Sequence, residues 1–279
     1  MPVHDQGYRR YRGLKADRGG AWAVIAGAGI RSLLGRRAFL GLLLASWIPF
    51  VVRAVQVYAS ATMPQVEFLA PTRELFRRFL DQQEVFLFFI TVYAGAGLIA
   101  NDRRANALQI YLAKPITKTE YILGKLAILT AFLLFVTWVP AVLLLVAQVV
   151  FSGSLAFVRA NAALVPAITV FTFMQVLTVS SAMLALSSLS KSSRFAGVLY
   201  AALTFFAQAI VGVLAGVTRD SRWAWISVPH DLAQLGDAIF GLPMRDQTPV
   251  AVALLVVLAV IVASVLVLER QVRGVEVVT

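Results

Sequence analysis

Few side chains in this 279-residue sequence have a type and spacing that could do chemistry. The two histidines, His4 and His230, cannot form a dense metal site by themselves, and with no cysteine there are no disulfides, thiolates or Cys-ligated zinc. His230-Asp231 suits the start of a surface helix better than proton handling. No Ser/His/Asp arrangement, no paired aspartates in an apolar run and no Gly-x-x-x-x-Gly-Lys-Ser/Thr phosphate loop occurs. The chemistry on offer is therefore recognition rather than bond-breaking, and the chain is not expected to be an enzyme or to hold a cofactor or metal of its own. Four polar groups sit inside long apolar runs: Arg53, Gln148, Gln175 and Gln208. Such groups face protein or a water-filled cavity. They are read either as helix-packing groups or as a substrate path. Arg53 lies roughly 24 Å along a helix from Arg37, where it can snorkel to the outer interface or face a charged substrate headgroup.

These groups are carried by six apolar runs: Ala38–Ala59, Val85–Ala100, Tyr121–Val150, Ala162–Leu189, Phe195–Val217 and Val250–Leu268. The composition is 59% hydrophobic and 14% charged with mean hydropathy +0.80. A soluble domain carries about a quarter charged residues, so the pattern predicts an all-α integral membrane protein with six transmembrane helices. Val85–Ala100 is short for a span, which predicts a helix starting near Phe79 or continuing past Ala100.

The net charge is +11, and its distribution follows membrane topology rather than nucleic-acid binding. Of 25 Lys and Arg, the N-terminal segment, the second-to-third connector, the fourth-to-fifth connector and the tail carry 8, 5, 2 and 2, against 7 in the other connectors. The positive-inside rule places both termini in the cytoplasm. Residues 1–19 form a basic tail, and 20–37 a helix lying in the headgroup region with Trp22, Ile25, Gly29 and Leu33 near one face. The outer connector Pro64–Gln83 reads as a short charged amphipathic helix. The last outer connector, 218–248, holds interfacial Trp223 and Trp225 and a helix over Val228–Phe240, opened by Pro229 and ended by Gly241. Gly212 and Gly216 form a Gly-x-x-x-Gly pair suited to helix packing or a dimer contact. The spans lack a central acidic residue, with Glu84 placed at the margin of span two.

The connector 101–120 stands out. Arg103–Ala113 is helical by pattern, with Leu108 and Leu112 on one face beside Tyr111. Lys114-Pro115 ends that helix, and Thr117 with Glu120 forms a capping box leading into span three. Helix, sharp break and capped helix make a rigid elbow. It reads either as a docking surface or as a well-capped loop whose charges only obey the positive-inside rule.

The run Pro115-Ile116-Thr117-Lys118-Thr119-Glu120-Tyr121-Ile122-Leu123-Gly124-Lys125, preceded by Asp102 and the pair Arg103-Arg104, resembles the second-span connector of ABC-2-type transporter permeases. That family carries Pro-(Val/Ile)-(Ser/Thr)-Arg-x-x-(Tyr/Ile)-x-x-Gly-Lys, and Lys118 stands where Arg is commoner. The likeness covers nearly the whole chain from Gly20, while Met1–Gly19 has no counterpart. The resemblance implies a permease subunit of an ATP-driven exporter, working as a homodimer or pseudo-symmetric dimer in the bacterial cytoplasmic (inner) membrane. A separate ABC-type ATPase would bind ATP and Mg. It would receive Asp102, Arg103, Arg104, Leu108, Tyr111, Lys114, Pro115, Thr117, Lys118 and Glu120. The rival readings are an ion-gradient-driven secondary transporter and a membrane scaffold anchoring an envelope complex.

Overall fold

A computed structural model describes residues 20–63, 71–107 and 116–272. Among the described residues every regular element is helical, and six passages are long and apolar enough to cross a membrane: Arg37–Thr62, Arg73–Arg104, Lys118–Ser152, Leu164–Leu189, Ser193–Thr218 and Val250–Gln271. We number them span one to span six.

Three passages are interrupted, and each interruption has a visible cause. Span one breaks into Arg37–Ala45 and Ile48–Thr62, and span three into Lys118–Val136 and Trp138–Ser152. Pro49 and Pro140 follow the two breaks and cannot donate to the preceding turn. Side chains bond to carbonyls beside both breaks. Gln83 Nε2 donates to the Ser46 carbonyl at 3.1 Å, and Thr137 Oγ1 donates to the Leu133 carbonyl at 2.7 Å. Span two has no proline. It runs as an α-helix over Arg73–Ile90, widens to a π-helical turn over Thr91–Gly95, and resumes at Ala100–Arg104. Ser187 of span four repairs this irregular stretch. Its hydroxyl accepts from the backbone N–H groups of Ile99 and Ala100 at 3.1 Å and donates to the Ala96 carbonyl at 2.8 Å. π-turns inside helices frequently mark functional positions.

One expectation is corrected. The charged stretch before span two is not a separate amphipathic helix: from Arg73 it forms the first turns of span two. Thr72 caps it by accepting from the Leu75 N–H at 3.2 Å, and Leu75, Phe76, Phe79 and Leu80 are buried. Those apolar residues extend the short run Val85–Ala100 toward its N-terminus. Glu84 lies three residues after Asp81, beside the charged first turns of this helix.

The N-terminal helix, Ala21–Leu34, packs along span three, where two glycines permit close approach. A Cβ at Gly124 would lie 2.8 Å from Ile25 Cβ and 3.0 Å from the Trp22 carbonyl oxygen, and one at Gly29 would overlap the Ile128 side chain. At the opposite end, Val228–Phe240 is packed on spans two, four and six by Leu232, Leu235 and Phe240. Pro229 sits in its first turn, and Gly241 ends it with a φ of 67°.

Candidate functional site

The end of span two and the start of span three are tied together through one carboxylate. Asp102 Oδ2 lies 2.6 Å from Lys125 Nζ and accepts from the Tyr121 hydroxyl at 2.7 Å. Tyr121 is fully buried and Lys125 nearly so, and the ammonium lies 5.4 Å from the centroid of the Tyr121 ring. Thr117 and Glu120 form the capping box in full: Glu120 N–H donates to Thr117 Oγ1 at 3.2 Å and Thr117 N–H to Glu120 Oε2 at 2.9 Å. Arg103 Nη1 reaches Gln271 Oε1 at 3.4 Å, linking the connector to the last turn of span six. Arg104, Thr117 and Lys118 are exposed. Leu108, Tyr111, Lys114 and Pro115 lie outside the described residues.

A second constellation runs along spans two and five. Near the connector, a cleft of about 880 Å³ is lined by Arg36, Asn101, Asp102, Lys125 and Arg194, and deeper by Val92, Tyr93, Phe88 and Phe89. Toward the opposite end, a smaller cavity of about 260 Å³ is lined by Glu84, Gln175, Gln208, Tyr200, Thr204 and again Phe88 and Phe89. The two spaces share only those two phenylalanines. Phe88 packs edge-on to Phe89 at 5.4 Å and against Tyr200 and Phe205 at 5.8 and 5.0 Å. The π-turn of span two begins directly after this aromatic cluster.

This pattern of six apolar passages and a capped, ion-paired second connector can be set beside known families. The family model described as ABC-2 family transporter protein matches residues 35–224. The chain belongs to that family. It is a multi-pass membrane protein and a transmembrane permease of an ABC transporter. A comparison with curated proteins found no match.

Within the permease, Gln175 and Gln208 come together in the smaller cavity, whereas Arg53 and Gln148 are not among its lining residues. Arg53 donates to Gln82 Oε1 at 3.2 Å and to Gln56 Oε1 at 2.7 Å, so it is held between spans one and two. Gln148 is buried, and its Oε1 lacks a hydrogen-bond partner among the described residues. A Cβ added at Gly212 or Gly216 meets open space, so neither glycine packs against another helix among the described residues.

Sequence reasoning missed the ion-pair cluster that joins span two to the helix Val228–Phe240. Arg77 is fully buried, lies 2.6 Å from Asp81 Oδ1 and 3.2 Å from Asp237 Oδ1, and stacks 4.5 Å from the Phe171 ring centroid. Arg245 Nε lies 2.8 Å from Asp237 Oδ2, and its Nη2 pairs with Asp81. Burial works against the Arg245 charge, but hydrogen bonding to Asp81 and the charges of Asp81 and Asp237 outweigh it and raise its pKa. The available signal was the i,i+4 spacing of Arg77 and Asp81 inside an apolar pattern.

Proposed function

We propose that this permease moves its substrate outward along spans two and five, driven by a separate ABC-type ATPase that carries the ATP and Mg. The observation that carries the reading is the pair of cleft and cavity on one face, divided by Phe88 and Phe89 and flanked by the π-turn of span two. A wide, polar, basic mouth and a narrow inner chamber suit stepwise passage through an aromatic constriction. The positive-inside count puts the mouth, the connector and both termini in the cytoplasm, on the side where ATP is available. The localisation that follows is the bacterial inner membrane.

The coupling path begins at the connector. A push from the ATPase on the exposed Arg104, Thr117 and Lys118 is passed rigidly to span three by the Thr117–Glu120 cap and to span two by Asp102. The N-terminal helix moves with span three because Gly124 and Ile25 interlock. At the far end, the cluster of Arg77, Asp81, Asp237 and Arg245 holds the helix Val228–Phe240 over span two as an exit gate. Span five is mostly exposed, and the open surface at Gly212 and Gly216 suits a second copy of the permease.

The test is purification of the tagged chain from its native membrane in mild detergent, with measurement of what accompanies it and of ATPase activity. A stoichiometric phosphate-loop ATPase, lost on Arg103→Glu/Arg104→Glu reversal, is expected. A preparation without an ATPase, or one whose partner is retained after the reversal, would refute the coupling assignment.

A further inference from the structure

The smaller cavity has an unbalanced charge. Around Glu84 the acidic and basic groups within electrostatic reach are Asp81, Asp237, Arg77 and Arg245. Both arginines are already committed, since Arg77 pairs with Asp81 and Asp237, and so does Arg245. Three carboxylates therefore share two guanidinium groups, and among the described residues Glu84 has no ion-pair or hydrogen-bond partner of its own. Charges withdrawn from water are ordinarily paired, so this partly buried carboxylate is open to a cationic ligand.

A second observation points the same way. Gln175 is 3% exposed, lines the same cavity, and its Oε1 has no hydrogen-bond partner among the described residues. A buried amide oxygen left unpaired is costly, and a bound donor would offset that cost. The cavity thus offers an anionic acceptor and a neutral acceptor, and apart from Thr204 and Gln208 the remaining walls are apolar or aromatic, including Phe88 and Tyr200. Ring faces attract cations.

We propose that this cavity recognises a small organic cation, a protonated amine on an apolar or aromatic body, with Glu84 as counter-ion and Gln175 Oε1 as hydrogen-bond acceptor. An inorganic divalent ion fits less well. Calcium takes six to eight oxygen ligands and magnesium near-ideal octahedral coordination, and no group of three or more His, Cys, Asp or Glu able to hold a metal occurs among the described residues. An anionic substrate would meet an already negative chamber. The inference rests on the transport reading above and gives it a substrate class.

The test is calorimetric binding of 2-phenylethylammonium, and of its uncharged near-isostere 2-phenylethanol, to the full permease purified with any partner it carries and free of nucleotide. The expected result is binding of the amine and at least about tenfold weaker binding of the alcohol, the scale of a lost charge contact. Glu84→Gln should abolish that preference while Glu84→Asp keeps part of it, and Gln175→Leu should weaken the amine alone. Equal binding of amine and alcohol, retention of the preference in Glu84→Gln, or no binding of either would overturn the proposal. Because the readout needs no ATP, loss of charge discrimination with an ATPase still attached counts against this site alone. A missing ATPase counts against the drive and not against the site.

Discussion

Lys125 Nζ and Asp102 Oδ2 lie 2.6 Å apart, and this ion pair joins the last turn of span two to the second turn of span three. It gives two signature residues an internal role. Gly124 meets the N-terminal helix, Lys125 meets Asp102, and Tyr121 donates to the same carboxylate oxygen. The motif therefore specifies how three helices are fastened at one end. A partner pressing on the exposed residues around it would move all three together.

The first prediction concerns that fastening. Asp102→Asn leaves the nearly buried Lys125 ammonium without its charge partner, and Lys125→Met leaves Asp102 without its own. Each single change should destabilise the detergent-solubilised permease by about 2 kcal/mol. The double variant should recover part of the loss, because neither charge is then stranded. Thermal unfolding of the four proteins gives the coupling directly. Strictly additive losses would mean that the pair contributes nothing beyond its separate parts.

The two glycines under the N-terminal helix should behave differently. At Gly29 the obstacles to a Cβ are Cδ1 and Cγ1 of the Ile128 side chain, so Gly29→Ala should be tolerated once Ile128→Ala removes both. At Gly124 the obstacles are Ile25 Cβ and the Trp22 carbonyl, neither of which can rotate away. Gly124→Ala should displace the N-terminal helix with or without a change at residue 25. Crosslinking between cysteines introduced at positions 26 and 127 reads the displacement. Equal crosslinking in wild type and Gly124→Ala would contradict it.

Much of this architecture is legible in the residues, and the exceptions have physical reasons. The spans are legible because an apolar run near twenty residues long matches the thickness of the bilayer's hydrocarbon core. The caps at Thr117 and Gly241 are legible because capping is local. Arg77 was not. An arginine among Leu75, Phe76, Phe79 and Leu80 looks like the polar face of an amphipathic helix, and its partner Asp237 is 160 residues away. The break in span two carries no proline, and the hydroxyl that completes it, Ser187, comes from another helix. The elbow residues Leu108, Tyr111, Lys114 and Pro115 fall outside the described residues.

The far-end cluster leads to a third prediction. A Cβ at Gly236 would lie 2.6 Å from Arg77 Nε and 2.7 Å from its Cζ, so Gly236→Ala must push the guanidinium away from Asp237. Overpacking of this kind costs about 1–3 kcal/mol, and here it also loosens the helix Val228–Phe240 from span two. Gly27→Ala is the control, because a Cβ there meets nothing within 4 Å and alanine favours the helix. Faster hydrogen exchange over Val228–Phe240 in Gly236→Ala, with no change in Gly27→Ala, is the expected outcome. Unchanged exchange in both would mean that Arg77 does not hold this helix.

The last prediction is a pH dependence that arises at Asp231. This residue sits in the first turn of Val228–Phe240 and is 1% exposed, and among the described residues neither carboxyl oxygen has a hydrogen-bond partner. Burial, reinforced by the negative charge of Asp246, raises its pKa to about 8. In the unfolded chain an aspartate titrates near 3.9. Between those values the folded protein holds a proton that the unfolded chain has released. Linkage then makes stability fall as pH rises across that window and level off above it. The contribution is complete only below the unfolded value, the reverse of a salt-bridged aspartate. Unfolding temperatures at pH 5, 7 and 9 should decline in that order, and Asp231→Asn should flatten the decline without lowering stability at pH 9. A wild-type curve that rises from pH 5 to 9 while Asp231→Asn shows the same slope would mean that the carboxyl is ionised in the folded protein and has a partner supplied from outside the chain.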